Sequence, residues 1–269
     1  MKHTKYGCLP SKADVRDYKF KSSATAELPE VFRLSHFPRV KNQGSVSSCV
    51  AHSMSSILEY HAHEDKLAEE KLSTAFIYGI QKKLFGREDG GMYLRDACKI
   101  VNTYGDMTEA DCPGNKEVPA AHNIAEEAFN DADKLKTAEV FKVASYVRVD
   151  KTKDIKRSIM NHGPVLASVK WYDTFKCDSN DVLTGEQKGD YGYHAIILLG
   201  WCSEGFIAQN SWGKSFGDHG RFILPFSISV REAWQIVDAD TTDIIKPIEK
   251  KFISIFYRLF NYIINLFRK

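Results

Sequence analysis

The sequence predicts an α+β protein in two lobes, helical in the first and stranded in the second. Three observations carry this expectation. Up to about Lys136 apolar residues recur at helical spacing. Beyond Lys136 the period falls to two. The chain is also large enough for a real core: its 269 residues are 43% hydrophobic and 27% charged, with only 17 Gly and 8 Pro, which excludes collagen-like, low-complexity and disordered readings. Helices followed by strands form segregated layers, and a cleft is expected where two such lobes meet.

Residues 1–27 are polar and basic and end in the small-residue stretch Lys21–Glu27, so they read as an N-terminal extension. The main domain is expected at 28–240, mainly helical over 28–137 and mainly β over 138–240. Within it, Cys49–Glu64 carries Val50, Met54, Ile57 and Leu58 on a helical period, and Ser73 precedes a helix with Phe76, Ile77, Ile80 and Leu84 on one face. Two more helices are predicted at Tyr93–Tyr104 and Asn123–Lys136. Alternation over residues 140–147 predicts the first strand, and short apolar runs at Val165–Val169, His194–Leu199, Phe206–Asn210 and Arg221–Leu224 predict the others.

The tail, 241–269, reads as an amphipathic helix. Lys251, Ser254, Arg258, Asn261, Asn265 and Arg268 recur every three or four residues among Phe, Ile and Leu. It is strongly basic, with Glu249 the one acid from Ile244 onward, and Arg258 interrupts an apolar stretch shorter than the ~20 residues that span a bilayer. Two readings stay open for it: a helix lying in an anionic membrane surface, or one packing on its own domain or on a second copy.

Thirty-seven Lys+Arg against 35 Asp+Glu leave a net charge of +2, without the basic field that nucleic-acid binding requires. No nucleic-acid partner is expected. The first residues hold no apolar run of secretory type, and six scattered cysteines form no Cys-x-x-Cys pair. A reducing, cytoplasmic or virion-associated setting is therefore expected. His61, His63 and Glu64 are the metal-ligand residue types closest together, but alternating histidines on a helix face different ways, so neither a metal nor a cofactor is expected.

Three distant segments hold the residue types of an acyl-transfer site. Cys49 follows Ser47-Ser48 at a helix start, where exposed N–H groups and the helix dipole favour a thiolate. His194 opens an apolar strand, and a cationic imidazole beside Cys49 would complete a resting ion pair and later protonate the leaving amine. Asn210 ends the next strand, where its side-chain oxygen would orient the His194 ring. Trp212 would shield that bond from water, and Gln43 would supply an oxyanion donor beside the Cys49 N–H.

On these residues the sequence resembles the papain family of cysteine peptidases, with His194 and Asn210 lying 145 and 161 residues after Cys49. The likeness runs from Leu28-Pro29 through Leu72–Tyr78 and His162–Val165 to about Leu224. It implies a helical left lobe, a β-barrel-like right lobe and endopeptidase hydrolysis of a peptide or protein through a Cys49 thioester. It also implies a backbone-binding glycine pair, best matched by Gly90 and Gly91. Val46 stands where the family has a disulfide-forming cysteine, and Val50 and His52 replace its usual tryptophan and phenylalanine. Tyr6–Pro10 and Asp14–Tyr18 resemble the short N-terminal stretch of bacterial, xylellain-like members, which implies that residues 1–27 partly cover the active site. The same triad would also serve an isopeptidase or transpeptidase, or survive in an inactive scaffold docking through the tail.

Overall fold

Helix α1 (Cys49–Glu64) is buried along most of its length, with Val50, Met54, Ile57 and Leu58 in the core as their spacing predicts. The computed structural model to which it belongs describes residues 6–15, 17–20, 27–67, 71–87, 90–114 and 118–238. The expected C-terminal helix over 241–269 lies outside the described residues. Two short strands precede α1, β1 (Cys8–Leu9) and β2 (Phe32–Arg33). After it comes α2 (Thr74–Phe85), opened by Ser73, whose Oγ accepts from the Phe76 N–H at 3.0 Å, and closed by Gly86 at φ 66°.

Strand β3 (Met92–Tyr93) leads into α3 (Leu94–Thr103). The single helix expected at Asn123–Lys136 is instead two, α4 (Val118–Asn130) and α5 (Ala132–Ala138). Asp131 divides them by accepting from the Asp133 and Lys134 N–H groups, a cap that restarts the ladder. Residues Glu139–Phe141 form a 3-10 turn, so β4 begins only at Val143 and runs to Arg148.

A sixth helix, α6 (Thr152–His162), interrupts the stranded half and was not expected there. It buries Ile155, Ser158 and Ile159, and Ser158 Oγ donates to Gln235 Oε1 at 2.7 Å. The remaining strands are β5 (Val165–Tyr172), β6 (Lys176–Cys177), β7 (Leu183–Thr184), β8 (Tyr191–Trp201), β9 (Gly205–Gln209), β10 (Arg221–Pro225) and β11 (Val230–Asp238). Five of these and β4 form an antiparallel sheet in the order β10-β9-β8-β5-β11-β4, and β2 adds to the far end of β8.

The sheet does not close into the expected barrel. Its outer strands, β10 and β4, pair with other segments rather than with each other: Val182 bridges to Ile223 on one edge and Lys19 to Arg148 on the other. Each bridge pairs one position of an edge strand and so blunts that edge without closing the sheet.

The N-terminal half of the cleft is set by a buried charge. Lys41, 8% exposed, donates from Nζ to Ser55 Oγ (2.8 Å), Glu59 Oε1 (2.8 Å) and the Leu72 carbonyl (2.9 Å), while the Leu72 N–H and Arg39 also reach Glu59 Oε1. This straps the 39–43 loop and the start of α2 to α1. Lys41→Ala removes one partner of a buried pair and is expected to cost about 3 kcal/mol of stability, read as a lowered urea midpoint.

Candidate active site

Cys49 is the first residue of α1 and is fully buried. Because α1 packs against β8, the Cys49 sulfur lies 3.5 Å from the Ala195 N–H, immediately next in the chain to His194. The backbone amides of Gly7 and Val50 also donate to that sulfur. His194 Nε2 is 2.7 Å from Asn210 Oδ1, and its Nδ1 is buried without a hydrogen-bond partner.

Asn210 sits just past β9 and is held from both sides: its N–H donates to the Gly220 carbonyl at 2.9 Å, and its Oδ1 also accepts from the Ser211 N–H at 2.7 Å. Trp212 lies over the imidazole, ring centres 4.6 Å apart and tilted by 30°. Trp171 meets the imidazole edge-on at 5.2 Å and packs against Trp212 at 4.9 Å, with Phe216 and Phe222 behind it. The histidine–asparagine bond is therefore walled off from water, where it is electrostatically stronger. Trp171 was missed in the sequence because it ends a run that reads as ordinary strand.

Gln43 is buried and rigidly mounted. The 41–43 loop pairs with 211–213 through the Gln43 N–H to Ser211 carbonyl bond (2.8 Å) and the Gly213 N–H to Lys41 carbonyl bond (3.0 Å). Its side-chain oxygen accepts from Ser211 Oγ at 2.6 Å, and its Nε2 donates to the Val46 carbonyl at 2.7 Å, on the turn that leads into Cys49. The structure thus brings Cys49, His194, Asn210, Gln43 and Trp212 together.

Burial in this form works against the expected resting ion pair. Burial pushes the Cys49 thiol up to about 11, against which its backbone donors work only in part, and burial lowers His194 to about 4 despite the Asn210 bond. Both shifts favour the neutral forms, because neither charge has water to stabilise it.

The N-terminal segment lies against this site. Gly7 lies against the turn before Cys49 so closely that a Cβ on it would fall 1.9 Å from the Ser47 carbonyl oxygen. Its carbonyl accepts from the Met92 N–H at 2.7 Å, and β1 runs parallel to β3 with Cys8 opposite Met92. Tyr6 sits 6.2 Å from the His194 ring and 6.4 Å from Trp212, and its Oη donates to Asp173 Oδ1 at 2.9 Å. Further along, the Ser11 N–H donates to Glu232 Oε2 at 3.0 Å. Gly90 and Gly91 both have positive φ, and a Cβ on Gly91 would stand 3.0 Å from the Gly7 oxygen. The glycine pair therefore lets a peptide backbone approach β3, and here that backbone is the chain's own. Asp173 and Glu232, as anchors of this segment, had no signal in the sequence.

A family model described as papain family cysteine protease matches residues 32–230, most of the chain. The chain belongs to that family. Among curated relatives, an uncharacterized peptidase C1-like protein of Acanthamoeba polyphaga mimivirus is 27% identical over 210 residues, 69% of this chain and 63% of its own length. Cathepsin B-like cysteine proteinase 4 of Caenorhabditis elegans is 30% identical over 126 residues, 45% of this chain and 37% of that protein. This papain-family chain thus spans less than two thirds of both relatives. Among solved structures, xylellain, a cysteine protease from Xylella fastidiosa, superposes with a TM-score of 0.75 at 24% identity, covering 87% of this chain and 96% of the other. Procathepsin B S9 from Trypanosoma congolense gives 0.66 at 16% identity, covering 87% and 86%. Both likenesses concern the fold.

Proposed function

We propose that this papain-family chain is a cysteine endopeptidase, held in a covered form by residues 6–11. The carrying observation is the junction of α1 and β8, which sets the Cys49 sulfur beside the Ala195 N–H while Asn210 holds the adjoining His194 by Nε2 and leaves Nδ1 unpartnered. When the cleft opens, proton transfer from Cys49 to His194 gives a thiolate and an imidazolium. The thiolate attacks the peptide carbonyl carbon, His194 returns the proton to the departing amine, and water, deprotonated by the same imidazole, releases the acyl group from sulfur. The Cys49 N–H and the Gln43 amide are the proposed oxyanion donors, each worth about 3 kcal/mol. Mounting Gln43 between Ser211 and Val46 means that little reorganisation is spent on that donor during reaction. Gly91 is the proposed backbone partner of the peptide, in the place that Gly7 holds here.

The test is intact-mass spectrometry of the full chain after treatment with an epoxysuccinyl peptide. A single adduct is expected, lost in Cys49→Ala, together with peptide products whose masses show addition of water. An adduct that persists in Cys49→Ala, or none on the folded parent at any incubation time, overturns the reading.

A further inference from the structure

At the end of α1 remote from Cys49, roughly 22 Å along the axis at 1.5 Å per residue, the structure gathers three ligand-type side chains, of which the sequence had grouped only His63 and Glu64. His36, from the loop after β2, joins His63 and Glu64 on the last turn of the helix. One ligand atom from each lies within 4.8 Å of the others. His36 Nδ1 is 3.0 Å and His63 Nδ1 3.9 Å from Glu64 Oε1, and the two imidazole rings are 4.0 Å apart. His61, the neighbour the sequence suggested, instead turns toward Asp238.

His36 is held in place before any ion arrives. Its ring is stacked on Tyr60 at 4.4 Å with 7° between planes, leaving Nδ1 toward Glu64 and Nε2 buried. The loop is pinned on both sides: the Leu34 N–H donates to the Leu199 carbonyl at 3.1 Å, and Arg33 and Arg221 stand over the Phe37 ring. His63 and Glu64 are about half exposed, so short rotations suffice to close the group. The closure needed is small, since metal–ligand distances near 2.0–2.2 Å place tetrahedral ligands roughly 3.3 Å apart.

We propose that His36, His63 and Glu64 form a site for one divalent ion of the zinc type, with water in the fourth position. Two imidazoles and a carboxylate are a donor set that Zn2+ accepts, whereas Mg2+ and Ca2+ require oxygen-rich sites. His36 follows a strand that belongs to the sheet, and His63 and Glu64 end the central helix of the other lobe, so the bound ion staples the two lobes behind the cleft. It stabilises the fold and takes no part in the proposed peptide chemistry.

The experiment uses the full chain carrying Cys49→Ala, so that the nucleophile cannot take the metal. Equilibrium dialysis against Zn2+ is expected to show one ion per chain, and calorimetry a higher Tm that scales with free Zn2+. Co2+ in its place is expected to give a visible ligand-field band without the near-ultraviolet sulfur charge transfer that a cysteine site would produce. His63→Ala and Glu64→Gln, both at exposed positions, are expected to weaken binding at least as much as the ~10-fold that loss of an outer partner costs. Failure of Zn2+ to raise Tm, a sulfur charge-transfer band, or unchanged affinity in His63→Ala with its fold intact overturns the proposal and leaves an ordinary His36–Glu64 ion pair.

Discussion

His194→Ala is expected to lower kcat for a peptide substrate by about 10^4-fold or more, while the protein stays folded. The α1–β8 junction sets the Cys49 sulfur beside the residue that follows His194, and on the proposed mechanism a chain without that imidazole has neither an acceptor for the thiol proton nor a donor for the leaving amine. Asn210→Ala is expected to cost less, because Trp212 and Trp171 still confine the ring on two sides. Progress curves at saturating substrate measure both. The unit-like behaviour of a triad supplies a second check: adding His194→Ala to Cys49→Ala should lower the residual rate hardly further. A His194→Ala enzyme within tenfold of the parent would remove the histidine from the mechanism.

Gly7→Ala should do the opposite and raise reactivity. Its methyl cannot be seated 1.9 Å from the Ser47 oxygen, so residues 6–8 must lift from the cleft. In the covered form burial pushes the Cys49 thiol up to about 11, so the unreactive thiol is favoured at neutral pH. Burial is the largest cause, so returning water lowers this value and raises that of His194, moving both toward the ion pair. The rate of alkylation by iodoacetamide at neutral pH is therefore expected to rise at least about tenfold. Its pH profile should also shift: the parent's rate climbs far into alkaline pH, whereas that of Gly7→Ala levels off earlier. Circular dichroism and the alkylation profile together decide the matter. A folded Gly7→Ala that reacts at the parent's rate would show that the segment does not guard the nucleophile.

The parts of the site legible in the sequence were those in which a residue type conflicted with its local pattern. A histidine opening an apolar strand, an asparagine ending the next and a cysteine at a helix start are each locally costly or reactive, and all three meet. The burial of the pair was not legible, because Tyr6 and Gly7, which lie against it, are more than forty residues from Cys49 and nearly two hundred from His194. Helix α6 escaped notice because Thr152–His162 is dominated by charged and polar residues, leaving Ile155 and Ile159 to mark the buried face. The break at Asp131 was hidden because good helix formers flank it on both sides, and a single capping side chain outweighs their propensity. Barrel closure failed as an expectation because sheet edges are settled by whichever segment reaches them, here Lys19 and Val182.

The parallel pairing of β1 with β3 is made by the same chain that carries the nucleophile, and on the proposed reading this sets how a substrate would compete. Opening would then be a unimolecular equilibrium, so the latent fraction would be independent of enzyme concentration and dilution would not relieve it. A peptide would compete with a tethered occupant whose effective concentration follows from the length of the intervening chain, and the apparent KM would equal the intrinsic value divided by the open fraction. Substrates that bind tightly enough to displace the segment would be cleaved by the intact chain, and weaker ones would be spared. The N-terminal segment then acts as an affinity threshold, a selectivity filter separate from any side-chain pocket.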